Sequence, residues 1–195
     1  MGSEFSSYLD RVRERRPLVH HITNYVTVND CANICICAGG SPVMTDGEDT
    51  ADMVAISSAT VLNIGTLNGR TVGSMRVAAD TARSKGIPML LDPVGAGATG
   101  FRTETAEDLM SRHPTVIKGN AGEIGVLSGT GGDVQGVDSH GSSDAAEAAR
   151  TLARMTGAIV VASGPVDYVS DGETTLRLSN GCGYLETVSG TGCML

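Results

Sequence analysis

The sequence predicts an α/β fold of three layers, with helices on both faces of a mostly parallel central sheet and an antiparallel hairpin at one edge. Three observations support this: short apolar runs alternate with helical stretches, the runs are apolar along most of their length, and a hairpin signal follows the last of them. Alternating strands and helices are typical of parallel sheets. The 195 residues, 41% of them hydrophobic, suit a single domain over residues 1–195.

Five short runs predict the parallel strands. Strands that helices cover on both faces need no polar alternation, so continuous apolar runs favour them. The predicted strands are residues 18–23, 61–65, 87–92, 115–118 and 158–163.

Helical patterns fill the intervals between these runs. The predicted helices are residues 25–38, 50–57, 70–84, 104–112, 121–127 and 143–155. After the last strand, Asp171 and Gly172 separate two alternating segments. Such a pair favours a tight turn, which predicts the edge hairpin. The glycine-rich residues 128–141 predict a loop, to which we assign no chemistry.

Composition narrows the classes of function. The net charge is −8 and no basic block is present, so neither nucleic acid nor an anionic membrane surface is an expected partner. The sequence contains no run of about 18 apolar residues, which is the length needed to span a bilayer. Residues 1–16 are charged rather than signal-like. Five cysteines, an odd number, favour reduced thiols and a cytoplasmic location. The segment GSEF resembles a cloning remnant, so we interpret residues 1–16 as an N-terminal extension.

Gly95, Gly97 and Gly100 form a G-x-G-x-x-G pattern directly after a predicted strand. A dinucleotide clamp also needs an acidic residue about 20 positions further on, to bind the ribose. This chain has Lys118-Gly119-Asn120 there instead. A nicotinamide-dependent oxidoreductase is therefore disfavoured, and an NADH-binding titration would decide the question.

Two carboxylates have a functional and a structural interpretation. Asp92 ends a predicted parallel strand, where α/β sheets place their ligands, but it also starts the Pro93 turn. Glu123 could position a metal or a water, but with Asn120 it also forms a pattern close to a capping box. The pattern alone leaves both alternatives open.

The segment SGTGC at residues 189–193 predicts a turn that opens a helix. Unpaired N–H groups and the helix dipole make such a turn a natural anion site, although a tight turn with a buried Cys193 is the alternative. Near the N-terminus, Asn24 is as good a candidate for an N-cap as for a ligand residue. Met44 would ordinarily be a core residue.

Seven motifs follow one another between about Pro17 and Leu195: PLVHHITNYV, GGSPVM, VLNIGTL, LDPVGAGATGFRTETA, VIKGNAGEI, VDYVSDG and VSGTGC. In order and spacing, they resemble the motifs of the hydroxyethylthiazole kinases. The resemblance implies a ribokinase-like fold and phosphorylation of 4-methyl-5-(2-hydroxyethyl)thiazole in thiamine salvage, with ATP and Mg²⁺. It also implies a homotrimer with its sites at subunit boundaries.

The same resemblance assigns the site residues. Asn24, Val26, Met44 and Gly190 would line the thiazole pocket; Lys118, Ser163, Asn120 and Thr191 would bind ATP; Asp92 and Glu123 would hold magnesium; Gly190, Gly192 and Cys193 would serve catalysis.

Four departures from the family pattern qualify this assignment. Lys118 and Ser163 replace the common Arg and Thr, and His21 stands where Cys is common. An ammonium keeps the charge of a guanidinium but loses its planar fork. Family members also continue past the GTGC segment, so the chain is expected to lack C-terminal helices. An inactive fragment and a kinase for a related pyrimidine alcohol remain alternatives.

Overall fold

The computed structural model describes residues 2–131 and 142–195. Of the predicted loop at 128–141, residues 132–141 lie outside this range. Within it, the strands form one sheet in the order β2-β1-β3-β4-β5-β6-β7-β8. They are β1 (Leu18–Ile22), β2 (Ser41–Met44), β3 (Ala59–Asn63), β4 (Met89–Asp92), β5 (Val116–Asn120), β6 (Ile159–Ser163), β7 (Asp167–Ser170) and β8 (Thr175–Leu178).

The helices connect these strands. They are α1 (Gly2–Arg15), α2 (Val28–Ala38), α3 (Thr50–Ile56), α4 (Gly69–Lys85), α5 (Gly100–Met110), α6 (Ala121–Ser128), α7 (Ser142–Thr156) and α8 (Thr191–Met194), with a 3₁₀ turn at Gly183–Thr187. Among the described residues, no helix has both the length and the apolar character needed to cross a membrane.

The sheet confirms the predicted fold class. Strands β1 to β6 pair in parallel, and β6, β7 and β8 pair antiparallel to form the edge hairpin. Right-handed crossovers place α2, which leads to the edge strand β2, on one face and the helices between β3 and β6 on the other. All six parallel strands therefore present their carboxyl ends at the same edge of the sheet.

The structure differs from the prediction at two elements near the N-terminus. Strand β2 is not among the predicted strands. It contains Pro42, and a proline, which has no N–H to donate, is tolerated only where no ladder hydrogen bond is needed. Here β2 is an edge strand, which explains how Pro42 fits. Helix α1 was also not predicted, since residues 1–16 were interpreted as an extension; in the structure it spans Gly2–Arg15.

The core lies on the face of the sheet that α4 to α7 cover. Leu62, Leu91, Ile117 and Val160 occupy adjacent register positions on four strands, and all are fully buried. Small side chains on the covering helices, such as Ala79 of α4, allow close approach. On the opposite face of the sheet, the side chains of these strands are only partly covered. Ile159, for example, is 43% exposed.

Two adjacent histidines are buried in β1. His20 donates from Nε2 to the carbonyl of Thr45 (3.0 Å) and accepts at Nδ1 from the Thr60 hydroxyl (2.9 Å). His21 has a buried Nε2 without a partner among the described residues. Burial, with a smaller contribution from the neighbouring His20, lowers the pKa of His21 to about 4.

Replacing His21 with Cys is expected to reduce the loss of stability on acidification. The pKa of His21 is about 4 in the folded chain, below its ordinary 6.5, so between these values only the unfolded chain binds the proton. The free energy of unfolding therefore falls as the pH drops through this window, by at most about 3 kcal/mol from this residue.

Urea unfolding at pH 4.5 and pH 7 measures the effect. The difference between the two pH values should be smaller in His21→Cys than in the unmodified chain. His113→Asn is the matched control, because His113 is exposed and Asn tolerates its positive φ of 59°. An equal difference in all three proteins would contradict the prediction.

Candidate active site

Polar residues from four parallel strands meet at the carboxyl edge of the sheet. Asn24 follows β1 by two residues, Asn63 ends β3, Asp92 ends β4 and Lys118 lies in β5. Asn63 and Asp92 are direct register partners. Parallel pairing brings these positions together although they are far apart in sequence, and this edge is where α/β proteins bind ligands.

Asp92 is buried, with 3% of its surface exposed. It accepts hydrogen bonds from Asn63 Nδ2 (2.8 Å) and Lys118 Nζ (3.2 Å), and both end on Oδ2. Burial raises the pKa of Asp92 to about 6; the charge of Lys118 opposes this rise and that of Glu123 adds to it. The carboxylate thus ionises just below neutral pH.

Lys118 forms a buried ion pair with Asp92. Its ammonium also donates a hydrogen bond to the carbonyl of Gly192. A buried charge is tolerated when a partner and further hydrogen bonds replace its lost hydration. Lys118 therefore links the first turn of α8 to strand β5.

The turn at residues 189–193 depends on a glycine. Gly190 has a φ of +87°, and a Cβ built there would lie 2.1 Å from Cγ2 of Thr27. Two further contacts hold the turn: Asn24 Nδ2 donates to Cys193 Sγ (3.3 Å), and the Cys31 thiol donates to the carbonyl of Cys193 (3.5 Å). The turn is thereby docked against the start of α2.

Asn24 is not the N-cap of α2, which is Thr27, and its role as a ligand residue stays a prediction. Its Oδ1 accepts from the backbone N–H of Thr27 (3.1 Å) and from the Thr27 hydroxyl (3.0 Å), which closes the turn before α2. The helix begins at Val28 rather than at the predicted residue 25, because this turn precedes it. The Asn24 amide nitrogen bonds Asn63 Oδ1 (3.0 Å) and Cys193, so Asn24 also faces the site.

Glu123 forms the capping box that the sequence indicated. Its Oε2 accepts from the backbone N–H of Asn120 (2.8 Å), and Asn120 Oδ1 accepts from the N–H of Glu123 (2.9 Å). The other carboxylate oxygen, Oε1, accepts from the N–H of Gly95 (2.7 Å). Glu123 therefore links the start of α6 to the loop that follows β4, and its role toward a metal stays a prediction.

The remaining predicted residues lie along the same edge. Val26 is 59% exposed and is close in sequence to Thr27, which contacts Gly190. Met44 ends β2 and is the register partner of His21. Ser163 ends β6, and its hydroxyl donates to the carbonyl of Gly119 (3.2 Å). The hydroxyl of Thr191 donates to Leu185 O (2.9 Å), and the role of Thr191 toward a nucleotide stays a prediction.

Three residues that contribute to this edge were not predicted as site residues: Asn63, Thr27 and Arg102. The guanidinium of Arg102 donates to the carbonyls of Ile64, Val94 and Gly65, each at 2.9 Å, and so braces the loops after β3 and β4. Asn63 had a usable signal, because it is a polar residue at the end of an apolar strand. Arg102 lies in the motif LDPVGAGATGFRTETA, but its local pattern is that of any arginine in a helix.

The solved structures that resemble this one include small-molecule kinases. The structure of hydroxyethylthiazole kinase from Pyrococcus horikoshii OT3 matches with a TM-score of 0.89 and 44% identity, over 96% of this chain and 71% of that chain. An ADP complex of pyridoxal kinase from Bacillus subtilis matches with a TM-score of 0.62, over 91% of this chain and 79% of that chain. Because its sequence identity is only 18%, this match shows the fold alone. The protein thus has the ribokinase-like kinase fold.

Sequence comparison identifies the family within that class. The model of the hydroxyethylthiazole kinase family matches residues 9–195, so the chain belongs to this family. Hydroxyethylthiazole kinase from Methanocella arvoryzae is 55% identical over 192 residues, covering 97% of this chain and 72% of the relative. Hydroxyethylthiazole kinase from Methanoculleus marisnigri is 56% identical over 196 residues, which cover 99% of this chain and 70% of the relative.

The substitution Gly190→Ala is expected to release the turn at 189–193. The new methyl group would overlap Thr27 Cγ2, and a residue with a Cβ also loses about 1–2 kcal/mol in the left-handed conformation. Hydrogen–deuterium exchange at residues 188–195 should therefore become at least about tenfold faster.

Two further variants make this test specific. Thr27→Ser removes the obstructing methyl but keeps the hydroxyl, so in combination with Gly190→Ala it should restore part of the protection. Gly73→Ala is the control, because a Cβ at Gly73 in α4 meets nothing within 4 Å. Unchanged exchange in Gly190→Ala would show that the turn does not depend on this contact.

Proposed function

We propose that this protein transfers the γ-phosphoryl group of ATP to the hydroxyl of 4-methyl-5-(2-hydroxyethyl)thiazole, with Mg²⁺ as cofactor. Family membership supports the reaction. The observation that carries the proposal for this chain is the buried Lys118–Asp92 pair directly beneath the glycine turn that presents Cys193. A cation, a carboxylate and a glycine-rich turn at one point are the groups that phosphoryl transfer requires.

The protein contributes positioning and charge neutralisation, because the transition state of phosphoryl transfer is loose. We assign the backbone amides between Gly190 and Gly192 to the transferring group, with Lys118 neutralising the charge beside them. Ser163, Asn120 and Thr191 are assigned to the nucleotide, Thr191 through its amide in this turn.

Asp92 and Glu123 fit a magnesium site completed by the substrate. Residues 2–131 and 142–195 contain no group of three or more His, Cys, Asp or Glu side chains placed to hold a metal. Magnesium ordinarily takes one or two carboxylates, with phosphates and waters as its other ligands. The hydrogen bonds of Asp92 end on Oδ2, which leaves Oδ1 for this role. When bound, magnesium would neutralise charge on the phosphates.

Cys193 is assigned as the acceptor of the proton from the substrate hydroxyl. Asn24 donates a hydrogen bond to Sγ, which orients the sulfur. General-base assistance contributes about 10²-fold in such a reaction. The protein's other contributions are positioning and electrostatic, so this step is helpful rather than essential.

The alcohol is proposed to bind beside Asn24, Val26, Met44 and Gly190, in a homotrimer with its sites at the subunit boundaries. Exposure supports this arrangement: Val26 and its neighbour Tyr25 lie beside the candidate site, yet both are open to solvent. A second subunit over these side chains would bury them and complete the pocket.

The proposed function is tested by measuring ADP release as a function of the alcohol. Release should require the alcohol and magnesium, and should not occur with 5-ethyl-4-methylthiazole, which lacks the hydroxyl. The absence of alcohol-dependent release would overturn the proposal.

Substitutions distinguish the roles of Asp92 and Cys193. Cys193→Ala should lower kcat by about 10²-fold or less, because only proton transfer is impaired. Asp92→Ala should lower it much further, because Lys118 loses its partner and the metal loses a ligand. Cys37→Ala, an exposed cysteine in α2, should leave kcat unchanged. Equal losses in the Asp92 and Cys193 variants would contradict this division of roles.

A further inference from the structure

Asn63 links the Asp92 carboxylate to the Asn24 amide in the candidate site described above. Its Nδ2 donates to Asp92 Oδ2 (2.8 Å), and its Oδ1 accepts from Asn24 Nδ2 (3.0 Å). A third bond, from the backbone N–H of Gly65 to Asn63 Oδ1 (2.9 Å), fixes the amide plane. The side chain is buried, so water cannot replace these partners.

The contacts of Asn63 close a chain of hydrogen bonds across the site. Asn24 Nδ2, which bonds Asn63, also bonds Cys193 Sγ (3.3 Å). Asp92 Oδ2, which bonds the other end of Asn63, also bonds Lys118, and Lys118 bonds the carbonyl of Gly192. The two ends of this series of hydrogen bonds therefore meet at the adjacent residues Gly192 and Cys193.

We propose that Asn63 is a positioning residue that couples the Asp92 carboxylate to the Asn24–Cys193 pair. This inference rests on the function proposed above, in which Asp92 and Cys193 act on the same substrate. Asn63 does not touch the reacting atoms itself. It fixes which oxygen of Asp92 stays free, and it holds the Asn24 amide with its donor toward the sulfur.

A carboxamide is suited to this position by its chemistry. One end of the group donates and the other accepts, so it can satisfy a carboxylate and an amide donor at once. A carboxylate in its place could accept from Asn24 but could not donate to Asp92 when ionised. Ala could do neither. Substitutions at this single position therefore separate the contact with Asp92 from the contact with Asn24.

The first experiment follows iodoacetamide alkylation of Cys193 by peptide mass spectrometry in the protein without substrates. The rate depends on how the sulfur is presented to the reagent, and the hydrogen bond from Asn24 Nδ2 orients it. Asn63→Ala should slow alkylation by about threefold to tenfold, the effect expected for one hydrogen bond. Asn63→Asp should leave the rate close to that of the unmodified chain, because the acceptor for Asn24 remains.

The control is Thr60→Val, in the same strand. Thr60 is buried and forms a hydrogen bond with His20, so its loss also weakens β3, but it lies away from the carboxyl edge. This variant should not change the alkylation of Cys193. A rate in Asn63→Ala that is unchanged or faster, or that equals the rate in Thr60→Val, would overturn the proposal.

The second experiment is a double-mutant cycle on kcat between Asn63 and Cys193. Asn63→Ala and Asn63→Asp should each lower kcat by about tenfold or more, with KM for the alcohol changed much less, as positioning residues beside a metal ligand do. In the Cys193→Ala background, the loss of kcat caused by Asn63→Ala should be smaller, because part of the effect of Asn63 acts through Cys193 Sγ. Equal factors in the two backgrounds would contradict the coupling.

The two experiments separate this proposal from the proposed function. If the unmodified chain shows no alcohol-dependent ADP release, the function is wrong, yet alkylation still decides whether Asn63 controls Cys193. If ADP release occurs but alkylation and the cycle show no coupling, the function stands and the role of Asn63 is refuted.

Discussion

The buried ion pair between Lys118 and Asp92 is the interaction on which the candidate site depends. Two charges removed from water are stable only if they satisfy each other and their remaining hydrogen-bonding capacity. Asn63 supplies the second bond to the carboxylate, and the Gly192 carbonyl supplies one to the ammonium. The hydrogen bond from the Lys118 ammonium to Gly192 therefore holds residues 189–193 at the edge of the sheet, although they are distant from Lys118 in sequence.

Topology explains why these groups meet. Strands β1 and β3 to β5 run in the same direction, so each delivers the residues at its carboxyl end to one edge. This much could be predicted from the sequence, because five apolar runs and their polar ends are local patterns. The capping box of Asn120 and Glu123 is equally local, and it was confirmed. Strand β2 could not be predicted in this way, since its edge position is what makes Pro42 acceptable.

The contacts between distant segments could not be predicted from patterns. Asn24 and Cys193 are separated by 169 positions, and neither residue type requires the other. The clash that makes Gly190 obligatory comes from a methyl group of Thr27, which no local rule reveals. Lys118 was assigned to ATP by resemblance, whereas the structure shows that its ammonium is already paired with the carboxylate assigned to magnesium. Nucleotide binding must then work with this pair or rearrange it.

A crystal structure with MgADP and the thiazole alcohol bound tests this account most directly. The account predicts phosphate oxygens on the backbone amides at residues 190–192, the metal on the side of Asp92 Oδ1, and the alcohol oxygen near Cys193 Sγ. A nucleotide whose phosphates lie elsewhere, with the Lys118–Asp92 pair and the turn undisturbed and without ligand, would contradict it.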